Sequence, residues 1–264
     1  MLTILLTCDL PEGSIRTRWV ESTRRIVPEV EQAIEHSWQA KLQQPDIKLW
    51  DGPMCRLERW ELRGGELHLD LSPTSYRTFF GTNMSNPQLL DKYGREVGAN
   101  PLGVSPALET CDGYLMLGRR NSTVAYYPNL LHPFAGALEP EEADDVFKAI
   151  RRELREELHF HDGDLAEIRL MGMVEDANLR QPEPIFYVRS TRSRAEIEKL
   201  VQQEEHHDSW AVRADRQAME EALRDVSRFT PVGVASLLLW GRSRFGDAWF
   251  GKAHGLSEGK TLFA

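Results

Sequence analysis

The sequence predicts an α+β protein: a mixed sheet with covering helices in the C-terminal part, preceded by a smaller α+β unit. Three observations carry this. Short strand-like apolar runs alternate with helical patterns along the 264 residues. One strongly patterned helix, at about residues 144–158, stands with strand-like runs on both sides of it. After Pro101 the pattern changes to paired strands, which places a division between residues 1–99 and 100–264.

The elements follow in order. "LTILLT" (2–7) reads as a buried strand. In "VPEVEQAIEHSWQAKLQQ" (27–44), Val27, Val30, Ile34, Trp38 and Leu42 recur every three or four residues, one helix face, with Pro28 in the first turn. "MCRLERWEL" and "ELHLDL" flank "RGG", a hairpin with Gly64 and Gly65 in the turn. "SPTSYRTFFGTN" (72–83) is a loop or short helix, and "PQLLDKYGREVGANP" (87–101) is a short helix ending near Gly94 or Gly98. "LGVSPALET" and "YLMLGRR" are strands joined by the turn "CDG". A connector (121–142) leads to the 144–158 helix. Strands "LAEIRLMGMVED", "PIFYVRS" and "SWAVRA" follow, with helical patterns at "RAEIEKLVQQEE" (194–205), "RQAMEEALRDV" and "PVGVASLLLWGRS". There is no internal repeat and no low-complexity run.

Composition excludes several classes. A net charge of -9 repels phosphate backbones at long range, so nucleic acid is not an expected partner. No apolar run approaches the ~18 residues of a spanning helix, so no membrane partner is expected. Cys8, Cys55 and Cys111 lie far apart, which supports neither a disulfide framework nor a cysteine zinc site. The N-terminus lacks the basic and long apolar regions of a signal peptide. A reducing, cytoplasmic setting is expected. Oligomeric state is not legible.

Within "RRELREELHF" (151–160), Glu153 and Glu157 are four apart and Glu153 and Glu156 three apart. On a helix these positions share a face, so the three carboxylates are expected to converge. Converging oxygens suit a hard divalent cation such as Mg²⁺ or Mn²⁺. The same pattern also fits a solvated acidic face paired with Arg151, Arg152 and Arg155.

The context resembles the Nudix hydrolase signature, G-x5-E-x7-R-E-U-x-E-E-x-G-U with U a bulky aliphatic residue. Arg152, Glu153, Leu154, Glu156, Glu157 and Phe160 match it, and Gly136 and Glu142 match upstream. Two departures stand out. Nine residues separate Glu142 from Arg152, so a spacing of seven makes Asp144 the first acidic residue instead; His159 replaces a glycine. "TSYRTFFGTN", "NPLGVSPALETCDGYLMLGRR" and "SWQAKLQQPDIKLWDGPMCRL" further resemble the vertebrate Nudix subgroup that cleaves UDP-glucose and UDP-galactose.

The resemblance implies a Nudix α/β/α sandwich in residues 100–264 and a substrate-binding α+β unit in residues 1–99. It implies Mg²⁺-dependent hydrolysis of a nucleotide sugar to UMP and a sugar 1-phosphate. Glu153, Glu156 and Glu157 would be the metal ligands, and Glu157, Glu153 and Arg152 the catalytic set, with Glu175 a lesser candidate for base. Tyr76 with Phe79 or Phe80 would stack on uracil. Thr82 and Asn83 would read a base edge or ribose, and Arg119 or Arg120 would bind phosphate. His206 and His207 read as loop residues, because adjacent side chains point to opposite sides of a strand. Two other readings stay open: a Nudix hydrolase of ADP-ribose or NADH, and a non-catalytic nucleotide-binding domain.

Overall fold

The computed structural model describes residues 2–44, 50–201 and 206–261. "PDIKL" (45–49) and "QQEE" (202–205), parts of two stretches read above, lie outside the described residues. The strands are β1 (Leu2–Pro11), β2 (Ile15–Trp19), β3 (Pro53–Arg63), β4 (Glu66–Ser75), β5 (Gly103–Glu109), β6 (Tyr114–Arg120), β7 (Leu131–His132), β8 (Gly136–Ala137), β9 (Leu165–Asp176), β10 (Gln181–Ser190) and β11 (His206–Arg213). The helices are α1 (Pro28–Leu42), α2 (Tyr76–Phe79), α3 (Pro87–Tyr93), α4 (Val146–Leu158), α5 (Arg194–Ile197), α6 (Arg216–Ala222), α7 (Pro231–Phe245) and α8 (Asp247–Thr261).

Among the described residues these strands form two sheets. The larger runs β1-β9-β10-β5-β6-β11, with β7 on β6 and β8 on β5; the smaller runs β2-β4-β3. The larger sheet is mixed: β10 lies parallel to β5, while β1 on β9 and β11 on β6 are antiparallel. Strand alternation then decides the layers. Phe186 and Val188 of β10 turn to one face, where Phe147, Ile150, Leu154 and Leu158 of α4 and Leu67, Leu69 and Leu71 of β4 complete a core. Ile185 and Tyr187 turn to the other, against Val234, Leu237 and Trp240 of α7. Helices on both faces of a mixed sheet make the sandwich that the resemblance implies. α7 is buried almost all round, as its "SLLLW" run requires.

The hairpin turn holds: Gly64 and Gly65 both have positive φ, 62° and 81°. Residues 72–83 resolve into the end of β4, α2 and a π-helical turn at Phe80–Met84. One expectation needs correction, and one helix went unread. β1 pairs along its length with β9, so residues before 99 belong to the large sheet, and the division at residue 99/100 does not separate the two sheets. α8 follows α7 directly after Gly246; its sequence carries Gly251, Gly255 and Gly259, which hide the helical period. No helix among the described residues is long and apolar enough to cross a membrane.

Candidate active site

α4 begins at Asp145, whose carboxylate accepts a hydrogen bond from the Phe147 amide at 3.1 Å. It ends at His159, left-handed at φ 53°, where the His159 and Phe160 amides donate to Arg155 and Leu154 carbonyls. The departure from glycine at this position is thus accommodated with the usual helix closure. Between the caps, Val146, Phe147, Ile150, Leu154 and Leu158 anchor one face in the core. Glu153 and Glu157, one turn apart, sit at the margin of that face, 6% and 7% exposed. Glu156 points outward, its side chain 58% exposed.

Arg152 organises the acidic residues. Its Nε and Nη2 donate to the two oxygens of Glu142 at 2.8 and 3.1 Å, a bidentate pair. Nη2 also donates to the Ala137 carbonyl at 2.9 Å. Nη1 lies 2.7 Å from Glu153, 3.1 Å from Glu156 and 4.0 Å from Glu139. Burial alone would lower the Arg152 pKa, but Glu153, Glu142 and Glu139 outweigh it and hold the guanidinium charged. Burial raises the Glu139 pKa, with Arg152 opposing and Glu142, Glu156 and Glu141 adding to the rise.

This settles the spacing question. Glu142, in the turn Pro140–Glu142, is the acid that meets Arg152; Asp144 instead pairs with Lys148. Ala143, Asp144 and Asp145 carry the chain from that turn into α4, so the longer spacing falls in this link and the first turns of the helix. The glycine matters here too. A β-carbon on Gly136 of β8 would overlap the Glu153 carboxylate, so glycine lets α4 approach the strand.

The i,i+3 and i,i+4 spacing predicts that the three helix carboxylates converge, but they do not meet at one point. Glu153 and Glu156 are drawn to Arg152 Nη1, whereas Glu157 faces β11, its Oε2 3.1 Å from His206 Nδ1. His206 is a buried strand residue, which corrects its reading as a loop residue. Among the described residues no three His, Cys, Asp or Glu side chains are grouped to hold a metal ion. The donor chemistry nonetheless fits a hard divalent cation. Glu139, Glu142, Glu153 and Glu156 share one arginine, an excess of oxygen donors and negative charge.

The expected substrate residues divide. Tyr76 and Phe80 stack with centroids 6.3 Å apart, each meeting Trp38 edge-on. Tyr76 and Ala137 pack against one small cluster of Met54, Phe79, Ala99 and Leu179, so the aromatic segment lies beside β8. Thr82 and Asn83 are turned inward instead. Asn83 Nδ2 donates to the Leu179 carbonyl at 2.8 Å, and its Oδ1 accepts from the Ala99 amide at 2.9 Å. The Thr82 hydroxyl lies 2.6 Å from the Thr78 carbonyl and 2.8 Å from Asn83 Oδ1, with one proton to donate between them. Their buried donors and acceptors hold the chain to itself, which corrects their assignment as base or ribose readers. Arg119 donates to the Asn129 carbonyl at 3.3 Å. Arg120 is the buried member of that pair, stacked 4.4 Å from the Tyr126 ring centre. Glu175 pairs with Arg95.

A polar pocket behind Gly136 escaped the sequence reading. Tyr126, Tyr127, His132, Asp176, Gln181 and Glu183 line it. Glu183 is pushed up to about 8 by burial, Ser105 opposing and Asp176 adding. The signal available was an acid inside an otherwise apolar strand run, "QPEPIFYV".

No protein-family model matches the chain. Human uridine diphosphate glucose pyrophosphatase NUDT22 is 30% identical over 234 residues, covering 75% of this chain and 77% of its own. The chain belongs to the Nudix hydrolases. The mouse protein of the same description is 26% identical, over 96% of this chain and 94% of its own, so the likeness takes in the N-terminal region that the Nudix signature leaves out. Among solved structures, a MutT protein from Methanosarcina mazei Go1 covers 54% of this Nudix chain at 15% identity, with a TM-score of 0.40.

Proposed function

We propose that this Nudix hydrolase cleaves the pyrophosphate bond of UDP-sugars, UDP-glucose and UDP-galactose, to UMP and a sugar 1-phosphate, using Mg²⁺ or Mn²⁺. The observation that carries the reading is the excess of carboxylates around Arg152, beside a glycine strand and a stacked aromatic pair. The activity for which the relatives are named supports the choice of nucleotide.

Glu153, Glu156 and Glu157 would hold the cation. When bound, it supplies charge neutralisation for the diphosphate and acidifies water for attack. Arg152 keeps Glu142 and Glu153 in place by charge-assisted bonds, and Glu157, on the buried side, is suited to accept a proton. Tyr76 and Phe80 offer the stacking surface for uracil, a contribution of about 1–3 kcal/mol per base. The free thiols Cys8, Cys55 and Cys111 accord with a cytoplasmic setting.

Nucleoside monophosphate release, UMP from UDP-glucose and UDP-galactose and AMP from ADP-ribose and NADH, with and without Mg²⁺, tests this. UDP-sugar turnover that needs Mg²⁺ and disappears in Glu157→Gln is expected. Turnover of ADP-ribose or NADH with UDP-sugars untouched would reassign the substrate. UDP binding without any turnover would make the chain a nucleotide-binding domain.

A further inference from the structure

We infer that His206 is a positioning residue, fixing the orientation of the Glu157 carboxylate and thereby the affinity of the site for a divalent cation. This rests on the proposed role of Glu157. The geometry is that of a built slot. His206 is 1% exposed, and its Nδ1 lies 3.1 Å from Glu157 Oε2. Phe134 meets the ring edge-on, centroids 5.2 Å apart at 67°. A β-carbon on Gly118 of β6 would overlap the imidazole, so β6 carries a glycine where the ring lies. The backbone also contributes. In the pairing of β11 with β6, His206 opposes Arg120 and Asp208 opposes Arg119, so His207 is an extra residue in a bulge. Bulges re-aim side chains beside active sites. Here the bulge turns His206 into the core toward α4 and leaves His207 exposed.

The contact resembles the outer-sphere hydrogen bonds that orient ligating side chains, whose loss weakens metal binding by about 10- to 100-fold. Its atomic identity makes it testable. An asparagine amide nitrogen can take the place of Nδ1, a glutamine amide nitrogen reaches the place of Nε2, and leucine fills the slot without a donor.

Mn²⁺ affinity of the full chain, read by the paramagnetic resonance of free Mn²⁺, decides the matter, with melting temperature as the folding control. His206→Asn is expected to bind Mn²⁺ within a few-fold of wild type. His206→Gln and His206→Leu are expected to bind about 10- to 100-fold more weakly. With UDP-glucose the weak variants should be rescued in part by excess Mn²⁺. Equal weakening in the Asn and Gln variants would reduce His206 to a slot filler and overturn the inference, even should the Leu variant prove insoluble. Wild-type affinity in His206→Gln or His206→Leu would overturn it too, leaving the proposed function intact. A wild-type chain that binds no Mn²⁺ would sink both.

Discussion

Gly136 has no room for a β-carbon, and what it would strike is the far end of the Glu153 side chain rather than backbone. The carboxylate can swing aside, so the fold should tolerate Gly136→Ala. The site should not, because a displacement of about 1 Å in a reacting constellation can lower turnover about 100-fold. We expect that variant to melt within a few degrees of wild type while losing 10- to 100-fold in kcat with UDP-glucose. A melting point that collapses along with activity would place the cost in the fold. Glu183 presents a different residue-scale case. It is buried on β10, accepts a hydrogen bond from Ser105, and titrates at about 8 instead of an ordinary 4.5. Between those values the folded state keeps a proton that the unfolded chain has released. Its contribution to stability is therefore full below 4.5 and is lost as pH rises to about 8. At 1.36 kcal/mol per unit, the loss is on the order of a few kcal/mol. Glu183→Gln should flatten the fall in melting temperature from pH 5 to 8, and should exceed wild type at pH 8. Parallel pH profiles for the two proteins would refute the assignment.

At the scale of elements, α4 and the 76–84 segment show how far local pattern reaches. The 3.6-residue period, the Asp145 cap and the Glu-rich face were legible because each depends on neighbours within one or two turns. What those carboxylates touch was not, because their partners come from elsewhere: Glu142 from a turn, His206 from a strand some fifty positions on. Helix spacing put three acids on one side; it could not reveal that Arg152 divides them. Likewise "TFFGTN" looked like exposed hydrogen-bonding chemistry, whereas the π-helical turn points Thr82 and Asn83 into the protein. Asn83→Ala should therefore act as a stability mutation. It strips the partner from the Leu179 carbonyl and leaves the Ala99 amide only its longer bond to Thr82 Oγ1 at 3.3 Å, a loss of about 1–3 kcal/mol. Urea unfolding should show this loss, with KM for UDP-glucose unchanged in the folded protein; a KM raised tenfold or more at unchanged stability would restore the binding role. His159 offers the opposite sign. A non-glycine residue in the left-handed region costs roughly 1–2 kcal/mol, and glycine gives back some of this through unfolded-chain entropy. His159→Gly should gain about 0.5–1 kcal/mol in the same measurement.

For the whole molecule, the question is whether the 100–264 segment, which holds α4 and its carboxylates, is a unit. Composition suggested so, since the change of pattern after Pro101 is a real change from helix and hairpin to sandwich. Strand partnership overrides it. β1 hydrogen-bonds to β9 from Leu2 opposite Asp176 to Pro11 opposite Arg169, a pairing across most of the chain that no local period encodes. Behind the site the connections are tighter still. Backbone bonds link Cys55 to Leu138, Leu138 to Leu102 and Leu102 to Cys55, and the Thr17 hydroxyl donates to the Ala143 carbonyl. Leu67, Leu69 and Leu71 share a core with Phe147, Ile150 and Leu154 of α4. The glycine strand, the turn that carries Glu142 and the acidic helix are thus braced by residues before 99. Residues 100–264 alone would expose the β9 edge and the α4 core face, an invitation to aggregation. We expect that fragment to be insoluble, or soluble only as a species that binds a hydrophobic dye and has no Mn²⁺ affinity. Coexpression with residues 1–99 should recover a complex that binds Mn²⁺ and cleaves UDP-glucose. A 100–264 fragment that melts cooperatively and binds Mn²⁺ as the full chain does would show that the bracing is dispensable, and that the N-terminal residues serve the substrate alone.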